Sequence, residues 1–249
     1  MIQESKLDHP FLKEAELSNE YVSRTFPMAN YTAHWQPLNQ TITNWMLPHR
    51  ETVTYTFNEL GYRGTWSERD LPNTIWCFGD SQTAGMGLHE EDLWPTVLGQ
   101  QLNKTTINLG IGGASNDTIA RTLVSATHQY RPRAICVLMT APNRRELIHN
   151  EGRSTFFPQA IKYIDTIDKK LYTRYLDSVD ATSNQINYDK NLLLMRSCCR
   201  EMSIPFIALD FTQHVYELAK IDAAADDMHL GPMIQKEIAE FYKNRLQTL

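Results

Sequence analysis

From about residue 71 onward, short apolar runs alternate with longer amphipathic stretches. Four runs, Thr74 to Phe78, Thr105 to Leu109, Ala134 to Thr140 and Pro205 to Asp210, are rich in Ile, Val, Leu or Phe. They are too continuous to leave one face in water, which predicts strands buried on both faces. Helical periodicity fills the intervals at Glu90 to Leu102, at Asn116 to Tyr130 with Ser115 or Asn116 as its cap, and at Pro232 to Leu246. Strand and helix in alternation predict a doubly wound α/β domain.

Two stretches depart from that rhythm. Between Phe156 and Met202, Ile161, Ile164, Ile167, Leu171 and Tyr175 recur at helical spacing, and Leu192, Leu193, Met195 and Arg196 lie around a second face. This predicts a helical insertion over 156–202, two helices joined near Asp180. The first seventy residues are rich in Asn, Thr, Tyr, Trp and Pro, with Thr52 to Phe57 alternating and a turn over Asn58 to Gly64. They read as a β-rich extension over 1–70 that packs on the main domain of 71–249, or presents Trp35 and Trp45 to a ligand.

Composition removes several function classes. The net charge of −5 comes without a concentrated basic run, which argues against a nucleic-acid partner. No stretch has the apolar length to span a bilayer. Met1 to His9 carry polar and acidic groups where an export signal needs an apolar core, so the expected location is cytoplasmic. Cys77, Cys136, Cys198 and Cys199 lack zinc-ligand spacing and are expected to be reduced. Gly110 to Ser115 lacks the last glycine of a dinucleotide fingerprint, so neither metal nor cofactor is expected.

The candidate chemistry sits at the exit of the first run and before the last helix. Gly79-Asp80-Ser81-Gln82-Thr83-Ala84-Gly85 places a serine on a tight strand-to-helix turn, where its hydroxyl is a candidate nucleophile. Asp226-Asp227-Met228-His229 supplies what a serine needs for activation, with His229 as base and Asp226 to orient it. Asp227 is the rival orienter. His214, after the fourth strand, reads as a structural histidine, and Glu90, Glu91 and Asp92 suit the positive end of a helix.

With Gly-Asp-Ser-x-Thr-x-Gly after the first strand and Asp-x-x-His before the last helix, the chain resembles the SGNH/GDSL hydrolase family over roughly residues 71 to 249. The resemblance implies a three-layer α/β/α, flavodoxin-like fold with a mostly parallel sheet, and a serine esterase working through an acyl-enzyme. It selects Asp226 over Asp227. It also implies a glycine after the second strand and an asparagine after the third, here Gly113 and Asn143, which with the Ser81 N–H would form the oxyanion hole. The third block departs from the family, reading Ala-Pro-Asn-Arg where Gly-x-Asn-Asp is usual. Arg144 and its neighbour Arg145 are candidates to clamp an acidic substrate group. A small-molecule or saccharide ester is the expected substrate, an O-acetyl carbohydrate first. The alternatives are a silent carbohydrate-binding or structural module on the same fold, and an acyltransferase.

Overall fold

The computed structural model describes residues 38–45, 49–149, 152–156, 173–175, 177–210 and 215–248. Its centre is a four-stranded parallel sheet made of β3 (Ile75–Gly79), β4 (Thr106–Gly110), β5 (Ala134–Met139) and β8 (Phe206–Asp210), in the spatial order β4-β3-β5-β8. The chain leaves β3 toward one edge to form β4, then crosses back to form β5. In open parallel sheets such a reversal leaves a crevice outside the carboxyl ends of the strands.

Side chains alternate along each strand, so the sheet buries two separate cores. Trp76, Phe78, Ile107, Leu109, Ile135 and Val137 pack with α3 (Asn116–Gln129) and α4 (Ala181–Glu201) through Leu123, Ala126, Met195 and Cys199. On the opposite face Ile75, Cys77, Cys136 and Leu138 pack with Trp94 and Leu98 of α2 (Trp94–Leu102) and Ile234, Ile238 and Tyr242 of α6 (Pro232–Leu246). Helices on both faces make the three-layer α/β/α arrangement. The apolar continuity of the strands follows from this double coverage.

Several expected elements are corrected. The helix expected over Glu90 to Leu102 is broken: Glu90–Asp92 form a single 3₁₀ turn, Leu93 is extended, and α2 begins with Pro95 in its first turn. Proline lacks the N–H that a continuing helix needs, and is tolerated where that donor has no partner anyway. The helical insertion expected from residue 156 is preceded by an antiparallel hairpin, β6 (Arg145–His149) with β7 (Gly152–Phe156). α4 starts after Asp180, whose carboxylate accepts from Ser183 N at 2.6 Å. Its buried side is Tyr188, Asn191, Met195 and Cys199, whereas Leu193 is exposed. Ile161, Ile164, Ile167 and Leu171 lie outside the described residues. A short helix, α5 (Val215–Ile221), precedes the last turn of chain before α6.

Ahead of the sheet, β1 (Gln40–Thr43) and β2 (Thr54–Phe57) form an antiparallel hairpin. Trp45 is buried rather than offered to a ligand: it meets Phe57 edge-on at 4.9 Å, in a cluster with Val53, Tyr55, Met86 and Ala225. Trp35 lies outside the described residues. All four cysteines are free. Among the described residues no helix is long and apolar enough to cross a membrane.

Candidate active site

The Gly-Asp-Ser turn begins where β3 ends. Asp80 leaves the strand and its carboxylate accepts from Gln82 N at 3.0 Å, capping the one-turn helix α1 (Ser81–Ala84). Gly85 closes the turn with φ 76°, a left-handed conformation that suits glycine, and donates its N–H to the Ser81 carbonyl at 2.9 Å. Ser81 thus occupies the first helical position, largely buried.

Glutamines lock this turn to the loop that carries the imidazole. The Gln82 side chain accepts from Leu230 N at 3.0 Å, and Gln235 of α6 donates to the Gln82 carbonyl at 3.1 Å. Gln235 also accepts from Trp94 N at 2.9 Å, so α2 and α6 share the anchor. Ser81 and His229 are each one residue from the Gln82–Leu230 hydrogen bond.

His229 Nδ1 and Asp226 Oδ2 are 2.6 Å apart, and Asp226 Oδ1 accepts from Met228 N and His229 N, each at 3.1 Å. The Asp226 side chain has no exposed surface. Burial alone would raise this carboxyl, but the hydrogen bond and charge of His229 and the two backbone N–H groups outweigh it and hold it at about 2. An ionised Asp226 accepts a hydrogen bond from the ring's Nδ1–H, which keeps that proton on Nδ1 and leaves Nε2 as the nitrogen able to accept one. Asp227 cannot compete: it turns out with φ 59° and pairs with Arg50 at 2.7 Å, both side chains mostly exposed. The Ser81 hydroxyl makes no hydrogen bond to His229 in this structure. Catalytic contacts of this kind are often loose before substrate binds.

Gly113 follows β4 with φ 67° and is partly exposed. Asn143 follows β5 on a turn closed by Arg144 N to the Ala141 carbonyl at 3.1 Å. It is half-buried, and its side chain hydrogen-bonds to none of the described residues. Ser81, Gly113 and Asn143 therefore stand beyond the carboxyl ends of three adjacent strands. Polar side chains lace these loops together. Asp80 Oδ2 accepts from Thr140 Oγ1 at 2.6 Å and from Arg144 Nη1 at 2.9 Å, while Asn116 accepts from Thr140 N at 3.0 Å and donates to the Thr140 carbonyl at 2.8 Å.

Arg144 thus lies on the aspartate beside the serine, and its Nη1 also points to the Ala114 carbonyl at 3.4 Å. Arg145 is buried and donates to Ser183 O at 2.8 Å and to Asn184 Oδ1 at 3.1 Å, tying β6 to α4. His214 lies outside the described residues. Among the described residues no three His, Cys, Asp or Glu side chains are grouped as a metal would require. Gln82, Thr140 and Gln235 were given no role by the sequence, and Asn116 only that of a candidate helix cap. The signal they left was a polar residue at a strand exit or on an otherwise apolar helix face.

The layered α/β/α sheet thus carries a serine at the exit of its first strand and an aspartate–histidine pair on a loop tied to the same turn through Gln82. No family model matches the chain, and no curated protein sequence matches it. Solved structures do. AlinE4, an SGNH-hydrolase family esterase, is similar at 18% identity over 58% of this chain and 60% of its own, with a TM-score of 0.35. The psychrotrophic esterase EstA from Pseudoalteromonas sp. is similar at 15% over 71% of this chain and 97% of its own, with a TM-score of 0.38. The aryl esterase of M. Smegmatis is similar at 12% over 71% and 99%, with a TM-score of 0.36. The family named for AlinE4 is the one the two motifs resemble.

Proposed function

We propose that the protein is a serine esterase that cleaves a carboxylic ester through an acyl-enzyme. The observation that carries this is the 2.6 Å Asp226–His229 bond on a loop fastened to the Ser81 turn through Gln82. His229 Nε2 takes the Ser81 proton as Oγ attacks the carbonyl carbon, and the ionised Asp226 stabilises the imidazolium that forms. The Ser81 N–H, the Gly113 N–H and the Asn143 amide receive the tetrahedral oxyanion. Collapse breaks the ester C–O bond, and the alcohol leaves with the proton from His229. Water, deprotonated by the same nitrogen, then attacks the acyl-enzyme and returns Ser81 and the free acid.

Within this class we favour an O-acetyl carbohydrate, on the polar composition of the first seventy residues. Trp45, being buried, no longer counts toward that choice. Turnover of p-nitrophenyl esters of rising chain length and of acetylated saccharides, by the wild type and by Ser81→Ala, tests both levels. Short-chain turnover that vanishes in Ser81→Ala supports the esterase, and a Ser81→Ala variant of undiminished rate refutes it. Release of acetate from saccharides faster than from simple esters supports the finer assignment.

A further inference from the structure

We infer that Tyr55 and Arg50, which lie before the sheet domain, are positioning residues for the aspartate–histidine pair. This rests on the esterase reading above. Arg50 spans the acid loop: its N–H donates to the Ala225 carbonyl at 2.7 Å, Nη2 to the Ala224 and Ala223 carbonyls at 2.9 and 3.2 Å, and Nε pairs with Asp227 at 2.7 Å. Four loop residues, Ala223, Ala224 and Ala225 before Asp226 and Asp227 after it, are therefore gripped by a single arginine.

Tyr55 holds the same loop from beneath. Its phenol, 1% exposed, accepts from Gly87 N at 2.6 Å and lies 2.6 Å from His49 Nε2. The Gly87 carbonyl in turn accepts from Ala225 N at 2.8 Å. Gly87 has φ 74°, and a Cβ there would stand 2.8 Å from Asp226 Cγ, so this backbone forms a wall of the Asp226 carboxylate site. Arg63 fixes the segment from its other side. Its guanidinium lies 4.4 Å over the Tyr55 ring and donates to the carbonyls of Gly85, which caps the serine turn, and of Leu88. Burial pushes that guanidinium down to about 10.

Tyr55 thus acts on a short piece of backbone that connects the cap of the nucleophile's helix to the wall of the orienting carboxylate. Tyr55→Phe keeps the ring in the cluster and deletes the acceptor for a buried N–H, which loosens Gly87 against Asp226. Displacements well below the size of a side chain are enough to slow a reaction that depends on alignment.

The test is a double-mutant cycle on the full chain, Tyr55→Phe against Asp226→Asn, read as kcat and KM for p-nitrophenyl acetate. Each enzyme is first titrated with a fluorophosphonate to count reactive Ser81. The expected result is a full complement of titratable serine in Tyr55→Phe, kcat per site lowered about tenfold, and KM within twofold of the wild type. In the Asp226→Asn background the same change should cost less than about twofold, because the tyrosine acts through that carboxylate. Fewer titratable sites at unchanged turnover per site would show a merely structural tyrosine and overturn the inference. So would equal losses in the two backgrounds. If Tyr55→Phe does not fold, Arg50→Gln is run through the same cycle with the same expectations. A wild type in which no fluorophosphonate reaches Ser81 would remove the esterase reading itself, and this inference with it.

Discussion

Arg144→Met removes the cation that departs from the family pattern, and the structure sets what this should cost. The Arg144–Asp80 pair is 2.9 Å long, with the arginine side chain 21% and the aspartate 8% exposed. Exposed pairs contribute about 0 to 1 kcal/mol, and breaking a fully buried one costs about 3 to 5. Asp80 is the buried partner, but it keeps Thr140 Oγ1 and Gln82 N as donors, so the variant strands a partly satisfied carboxylate. Losing one hydrogen bond to a charged group then costs about 2 kcal/mol. In a chain of this size that lowers Tm by about 4 to 8 °C. Urea unfolding of the wild type, Arg144→Met, Asp80→Asn and the double variant measures it, and the double should lie well short of additive because both changes remove one contact. A loss under 0.5 kcal/mol, or strict additivity, would refute the reasoning. A stable Arg144→Met with a raised KM would instead return Arg144 to the role of a substrate clamp.

Other consequences follow from the same geometry. If Asn143 donates to the oxyanion, Asn143→Ala should lower kcat by roughly a hundredfold or more with little change in KM and little loss of stability, since its side chain holds nothing else among the described residues. A stable Asn143→Ala of wild-type kcat would move that role elsewhere. Asp227→Ala should leave kcat within about threefold, because its carboxylate is exposed and pairs with Arg50, whereas Asp226→Asn should lower it by several orders of magnitude. The Asp226 carboxyl lies below its ordinary value in the folded chain, so between pH 4 and 2 the unfolded chain binds more protons. Its stabilising contribution is complete above the ordinary carboxylate value and is lost as pH falls toward 2. The urea midpoint of the wild type should therefore drop more steeply across that interval than that of Asp226→Asn, and parallel slopes would contradict the assignment.

The two central strands were legible because they are buried on both faces: Ile75 to Phe78 and Ala134 to Met139 give an unbroken apolar signal that no half-exposed strand produces. Helix α6 was legible to the residue, starting at a proline after a glycine. The break before α2 was hidden because acidic residues followed by an apolar face look like one helix unless Pro95 is taken as a start. The β6–β7 hairpin was missed because its pairing depends on a partner strand a turn away, which local periodicity does not report. At the site, Ser81, Asp226 and His229 came from two local motifs. Gln82, Thr140, Asn116 and Gln235 did not, because a polar residue's value as a crosslink depends on which loops the sheet order brings together. The structure also changed the meaning of Trp45: an aromatic in a polar segment reads equally as ligand platform or as core until its packing against Met86 and Ala225 is seen.

In the proposed mechanism the Ser81 hydroxyl, and no other, is made nucleophilic by His229 and Asp226. The most direct test is stoichiometric labelling with a fluorophosphonate, followed by intact mass and peptide mapping, on the wild type, Ser81→Ala and His229→Ala. One adduct per chain is expected, on the peptide carrying Ser81, absent in Ser81→Ala and formed at least about a hundredfold more slowly in His229→Ala. An adduct on another residue, or none on a folded wild type, would contradict it.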